Sequence, residues 1–176
     1  MIPKRLAVFV LPLILIGCKE KAMDPTAAAY QRLQGVPQEK WDTLAEKKIY
    51  FGHQSVGRNI LDGLATVLEK HPSIRLEVRE TTDAADFEGP VFAHSPIGRN
   101  RDPKGKIDSF REILDSGIGE KADIAFFKLC YVDIERATDV ADLVDYYDGA
   151  LAELRGQYPD LTVIPVTGPL TNAAPG

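Results

Sequence analysis

Apolar segments of strand length alternate with segments of helical periodicity over most of this chain, and this alternation constrains the fold more than any other feature. The strand-like runs are 48–52, 74–79, 122–130 and 161–166, and the helical segments are 55–70, 106–116 and 138–157. Alternating strands and helices bury a sheet between two helical layers. The pattern therefore predicts an α/β protein with a three-layer α/β/α sandwich and a parallel sheet.

The apolar patterns also predict where each strand lies in the sheet. The runs 122–130 and 161–166 are almost continuously apolar, which predicts central parallel strands buried on both faces. The run 74–79 alternates apolar and charged residues, which predicts a half-exposed strand near an edge. Residues 80–105 are expected to be irregular, with a short apolar piece at 90–93.

The N-terminus has the pattern of an export signal. Lys4 and Arg5 precede an uncharged apolar run at 6–16, which is shorter than the roughly 20 residues of a membrane-spanning helix. Gly17 and Cys18 end the run and resemble the lipobox of bacterial lipoproteins. The resemblance implies cleavage before Cys18 and attachment of lipid to its sulfur. The alternative is an ordinary signal peptide with an incidental cysteine.

This interpretation divides the chain into three parts and places it in the cell envelope. The parts are a lipoprotein signal peptide at 1–17, a tether at 18–37 and an α/β domain at 38–176. We expect the domain to lie outside the cytoplasm, held to a bacterial membrane by lipid alone. Lys19 and Glu20 follow the cysteine in place of an aspartate, which favours the outer membrane if the source is Gram-negative.

Composition excludes several classes of protein. The chain has 176 residues, of which 44% are apolar, which is enough for the core of about one domain and excludes disorder as the main state. Two cysteines exclude a disulfide scaffold. A net charge of −5 argues against nucleic acid as a partner.

The segment 51–57 joins the first strand to the first helix and contains a candidate nucleophile. Ser55 would lie at the helix N-terminus, where first-turn N–H groups can stabilise an oxyanion. The alternative is that Ser55 is the helix N-cap, which is a common role for serine before a helix.

Three motifs are similar to a poorly characterised branch of the SGNH (GDSL-like) hydrolases. They lie at 50–57, 97–103 and 128–133, and the likeness spans about 47–171. The resemblance implies a flavodoxin-like sandwich and a serine esterase mechanism with Ser55 as the nucleophile. It also implies oxyanion donors from the N–H groups of Ser55 and Gly98, with the Asn100 side chain as a nearby candidate.

The chain departs from the family pattern at several positions. Gln54 and His53 stand where the family usually has Asp and Gly, and the segment 128–133 replaces the family's Gly-x-Asn-Asp block. Cys130 or Tyr131 is expected near the position of that missing asparagine. No Asp-x-x-His block follows the last strand, so we expect a truncated chain or a fragment that lacks the last elements of the fold.

The remaining polar candidates have competing interpretations. His53 could line the site but is poorly placed as a base because it is too close to Ser55 in the chain. His94 could approach the site but is more simply structural. Cys130 fits a buried apolar position better than a nucleophile. Lys128 and Asp133 follow the same strand and could line the site, or they could form a structural ion pair beneath it. Three histidines without close carboxylates are not a metal signature, so we expect neither metal nor cofactor.

These features favour a lipid-anchored serine hydrolase acting outside the cytoplasm on a small-molecule or glycan ester. The rival interpretation is a non-catalytic lipoprotein that uses the sandwich cleft as a binding module. A third is a purely structural envelope protein.

Overall fold

The computed structural model describes residues 31–166. The chain divides into two units at residues 35 and 36, and residues 31–34 of the first unit are helical. The predicted signal peptide, Cys18 and the first part of the predicted tether lie outside the described residues.

Strands and helices alternate along residues 36–166. The strands are β1 (Lys48–His53), β2 (Val78–Glu80), β3 (Val91–Pro96), β4 (Ile124–Phe127) and β5 (Thr162–Val163). The α-helices are α1 (Gln38–Ala45), α2 (Ser55–Lys70), α3 (Pro103–Ile113) and α4 (Val140–Gln157). Short 3-10 helices lie at Ala84–Glu88 and Tyr131–Asp133, and a π-helical turn lies at Leu114–Ile118.

The strands form one parallel sheet in the order β2-β3-β1-β4-β5, with helices on both faces. The α/β sandwich predicted from the sequence is confirmed. Leaving aside the edge strand β2, the order matches the first four strands of a flavodoxin-like sheet. In such sheets, ligands bind beyond the carboxyl ends of the strands, where the strand order reverses. Here the order reverses around β1, so the residues after β1 occupy that position.

Aromatic side chains build the two faces of the sheet. Tyr50 stacks on Phe110 of α3, and Phe127 contacts Tyr147 of α4, so these two helices cover one face. Phe51 points to the opposite face, the side covered by α2, because successive side chains of a strand alternate. The larger buried apolar cluster lies on the α3 and α4 side.

The run 161–166 contains a parallel strand, as predicted, but the prediction that this strand is central and buried on both faces was wrong. Within the described residues, β5 has only two residues and lies at an edge of the sheet. Val163 is buried but Ile164 is 42% exposed. The strand is therefore buried on one face only, although its sequence is almost continuously apolar. Pro165 has no N–H to donate to a sheet ladder, which limits the strand further.

The run 122–130 does form an inner parallel strand, as predicted, although the strand itself is β4, residues 124–127. Its burial alternates: Ala125 and Phe127 are buried, while Ile124 and Phe126 are half-buried. The strand is therefore fully buried on one face and only half-buried on the other, whereas the sequence predicted full burial on both.

The segment 80–105 is more ordered than expected, because it contains the inner strand β3 between β2 and β1. The edge position predicted for 74–79 is confirmed by β2. Helix α3 begins earlier than predicted. Asp102 caps it by accepting a hydrogen bond from the Gly105 N–H at 2.9 Å, and Pro103 occupies its first turn.

Candidate functional site at the carboxyl edge of the sheet

Ser55 is the first residue of α2, and Gln54 alone separates it from the end of β1. The N-cap is Gln54, with extended backbone and no side-chain capping bond, so the interpretation of Ser55 as the N-cap was wrong. Ser55 is exposed, and its hydroxyl has no hydrogen-bond partner among residues 31–166. The first N–H groups of a helix have no intrahelical acceptor. An exposed hydroxyl therefore lies beside backbone donors.

The Gln54 side chain connects the Ser55 turn to the loop after β3. Its Nε2 donates to the carbonyl oxygens of Ile97 at 2.9 Å and Gly98 at 2.8 Å. The structure thus brings the first and second resemblance motifs together, with Ser55 and Gly98 on the same edge of the sheet.

Position 98 requires a glycine because of its backbone conformation and because of the atoms packed against it. Its φ is +46°, and a Cβ at this position would lie 2.8 Å from the Lys106 Cα. Since that neighbour is backbone, it cannot turn aside as a side chain would. The loop therefore packs directly against the start of α3.

His53 and His94 form a buried pair beneath the first turn of α2. They are 2% and 6% exposed, and Nε2 of His53 lies 3.1 Å from Nδ1 of His94. Nδ1 of His53 lies 3.2 Å from the Gln54 carbonyl oxygen, which can only accept. The neutral pair is therefore satisfied when His53 donates to Gln54 and His94 donates to His53.

Burial lowers the pKa of both imidazoles, because desolvation disfavours their charged forms. The charge of His53 lowers the pKa of His94 further. His94 lies in β3 rather than in a loop, and it contacts His53 rather than Ser55. The structure thus places neither imidazole as a hydrogen-bonded base on Ser55.

A shallow pocket of about 90 Å³ opens beside Ser55 and is also lined by His53, Gln54, Arg58 and Pro96. Arg58 lies one helical turn after Ser55 and pairs with Glu80 at 3.3 Å. Both charged side chains are about half exposed, so this pair contributes little to stability. The Arg58 guanidinium remains accessible at the pocket rim.

Lys106 and Asp133 form an ion pair that sequence reasoning missed. Their side chains are fully buried, and Nζ lies 2.6 Å from Oδ2. Asp133 is therefore paired with Lys106, and not with Lys128 as one interpretation of the sequence suggested. A signal for Lys106 did exist, because it shares the buried stripe of α3 with Ile107 and Phe110.

Asn100 is exposed, but its side chain is held at one end. Lys106 Nζ donates to its Oδ1 at 2.9 Å. An ammonium only donates, so the atom facing Lys106 is the amide oxygen. The Nδ2 group of Asn100 therefore remains as a donor at the surface.

The other candidates lie just after β4. Lys128 is 8% exposed and its Nζ is 4.0 Å from the Cys130 sulfur. Cys130 is 1% exposed, which fits the buried apolar role expected for it. Tyr131 is 53% exposed, so it can contact a ligand only from the surface.

The described part of the chain contains neither a cluster of metal ligands nor a membrane-spanning helix. Residues 31–166 hold no group of three metal-ligating side chains arranged to bind a metal ion. No helix in this range is long and apolar enough to cross a membrane.

Comparisons of the chain with protein-family models, with curated proteins and with solved structures found no significant match.

Proposed function

We propose that this protein is a serine hydrolase that transfers the acyl group of an ester to Ser55. The observation that carries the proposal is the placement of an exposed serine as the first residue of α2, beyond the carboxyl end of the inner strand β1. This is where the strand order reverses and where ligands bind in open α/β sheets.

The surroundings of Ser55 suit the negative charge that develops during acyl transfer. The N-terminus of α2 carries partial positive charge. The Gly57 N–H donates to the Gln54 carbonyl oxygen at 2.6 Å, whereas the N–H groups of Ser55 and Val56 precede the first hydrogen bond of the helix. Gln54 holds the Gly98 loop beside this turn, and Asn100 offers its Nδ2 donor from the same loop. We propose that these groups stabilise the oxyanion that forms on the ester.

Ser55 has no general base hydrogen-bonded to it among the described residues. His53 and His94 are engaged with each other, and no imidazole is bonded to Ser55 within the described range. A serine hydroxyl is a weak nucleophile until a neighbour takes its proton. We therefore expect residues 1–176 to hydrolyse esters slowly, and we expect an added base to accelerate the reaction.

Hydrolysis of p-nitrophenyl acetate with imidazole in solution tests this proposal. The rate should exceed that of Ser55→Ala measured at the same imidazole concentration, which removes the contribution of imidazole alone. Ser116→Ala is the matched control, because its hydroxyl is also exposed and contacts only the Ile113 carbonyl. Equal rates for the chain and both variants would refute the hydrolase proposal.

A second candidate function is binding without chemistry. An apolar pocket of about 410 Å³ lies between α4 and the segment after β4, with Leu129, Leu143 and Tyr147 among its lining. Pockets of this size accommodate small organic ligands. Under this alternative, an apolar fluorescent dye would bind the pocket while Ser55→Ala left the esterase rate unchanged.

We also propose that lipid attached to Cys18 anchors the protein to a membrane outside the cytoplasm, because Gly17 and Cys18 resemble a lipobox. Cys18→Ala should release the protein from the membrane fraction or leave an uncleaved precursor. Mass spectrometry distinguishes these products from the lipidated form. Unchanged fractionation and unchanged mass would refute the anchor.

A further inference from the structure

Lys106 is a charged residue in a position that normally holds an apolar one. It is 0% exposed and lies at the start of α3 among buried Ile107 and Phe110. A buried ammonium is costly unless it is paired with an opposite charge and hydrogen-bonded. Its two acceptors, Asn100 and Asp133, come from two different loops at the carboxyl edge of the sheet.

Asp133 extends this contact to the backbone of both loops. Its Oδ1 accepts the Arg101 N–H at 2.8 Å, and its Oδ2 accepts the Cys130 N–H at 2.6 Å. One buried carboxylate thereby fixes the end of the Gly98 loop to the segment after β4.

The loop that carries Asn100 is held on both sides. Gly98 packs against the Lys106 backbone and accepts a hydrogen bond from Gln54. Arg101 is held by Asp133 and has a left-handed φ of 67°. Between Gly98 and Arg101, the Lys106 ammonium donates a hydrogen bond to Oδ1 of Asn100. This bond fixes the orientation of the amide, and the flanking contacts fix the path of the backbone.

We propose that Lys106 is a positioning residue of the site, whose ammonium holds Oδ1 of Asn100 so that Nδ2 is presented to the oxyanion formed on Ser55. This inference rests on the proposed hydrolase function and deepens it. Lys106 does not touch the substrate. It acts through Asn100, and Asp133 keeps the ammonium paired once it is buried.

Asn100→Asp is the most informative variant, because it separates the two ends of the side chain. An aspartate keeps an oxygen for Lys106, but it replaces the Nδ2 donor with a negatively charged oxygen. Residue 100 is exposed, so the variant should fold. Loss of one oxyanion donor typically slows turnover by about a hundredfold or more. The Ser55-dependent rate with p-nitrophenyl acetate and imidazole should fall by this factor, or to the Ser55→Ala baseline.

Lys106→Met removes the ammonium, and its rate should also fall, measured where circular dichroism shows the native fold. The double variant Asn100→Asp/Lys106→Met should fall no further than either single variant, because both remove the same donor. Arg99→Ala, an exposed neighbour in the loop, is the control and should retain the full rate.

Two outcomes overturn different claims. A wild-type rate that does not depend on Ser55 overturns the hydrolase proposal and this inference together. A Ser55-dependent rate that survives Asn100→Asp, or losses that add in the double variant, overturns the positioning role alone.

Discussion

Gly57 and His53 are in such close contact that a Cβ added at residue 57 would lie 2.2 Å from the His53 Cβ. The first turn of α2 therefore lies directly on the buried imidazole, and the spacing His-x-x-x-Gly in the first motif has a steric origin. The same contact fixes the height of Ser55 above the sheet, because Ser55 lies between the two residues in the chain.

This contact predicts the effect of adding one methyl group to α2. Gly57→Ala should lower the free energy of unfolding by roughly 1–3 kcal/mol, as overpacking does in a close-packed interior. Gly63→Ala is the matched control in the same helix, because a Cβ there meets nothing within 4 Å. It should raise stability by up to about 1 kcal/mol through helix propensity. Urea denaturation measures both, and similar values for the two variants would contradict the packing described.

The His53–His94 pair predicts a loss of stability in acid. The folded state lowers the pKa of both imidazoles, mainly by burial, whereas histidines in the unfolded chain titrate near pH 6.5. The unfolded chain therefore binds more protons in this range. The stability contributed by the neutral pair is present above about pH 6.5 and is lost as pH falls through the lower folded pKa values.

His94→Asn isolates this contribution. The asparagine Nδ2 can replace the donor at Nδ1 without titrating, so the melting temperature should fall less steeply between pH 7 and pH 5 than in the unmodified chain. Equal slopes for the variant and the unmodified chain would mean that the pair does not control acid stability.

The buried ion pair predicts an unequal effect of removing two lysines of α3. Lys106→Met leaves the Asp133 carboxylate buried without its cation, which typically costs about 3–5 kcal/mol. Lys104 pairs with Asp142 at 2.7 Å, but both side chains are well exposed. Lys104→Met should therefore cost far less stability than Lys106→Met. Chemical denaturation of the two variants measures the difference, and equal losses would refute the burial of the pair.

Local patterns in the sequence were sufficient for α2, α3, α4 and the sheet class, but they did not predict α1. The apolar period of α2 predicted its bounds as the structure has them, because Val56, Ile60 and Leu64 repeat at four-residue spacing. Ile60 is nevertheless 48% exposed, which shows that a helical period does not by itself reveal how much of a stripe the sheet covers.

Strand β3 could not be predicted because its polar residues are satisfied by distant partners. His94 contacts His53, 41 residues away, and Ser95 shares a 2.7 Å hydrogen bond with Tyr50, 45 residues away. Burial raises the pKa of Tyr50 to about 12, so its hydroxyl remains protonated for this bond at neutral pH. Without these partners in view, His-Ser is more typical of a loop.

The position of the candidate site in the fold was predictable from the sequence, but the hydrogen bonds and the ion pair that join its segments were not. The serine turn and the Gly98 loop were both expected at the carboxyl edge of the sheet, and Gln54 joins them there. The role of Lys106 depends on Asp133, 27 residues further along the chain, so no local pattern could show that these two residues pair.

The central claim is that Ser55 accepts an acyl group more readily than an ordinary serine. The most direct measurement is peptide mass spectrometry of the chain after reaction with p-nitrophenyl acetate and imidazole, comparing acetylation at Ser55 with acetylation at Ser116 in the same sample. Both residues are exposed, so Ser116 reports the reactivity of a serine outside the site. We predict that acetyl-Ser55 accumulates well above acetyl-Ser116 and that Asn100→Asp removes the excess. Equal acetylation of the two serines would contradict the proposal that this edge of the sheet is a hydrolase site.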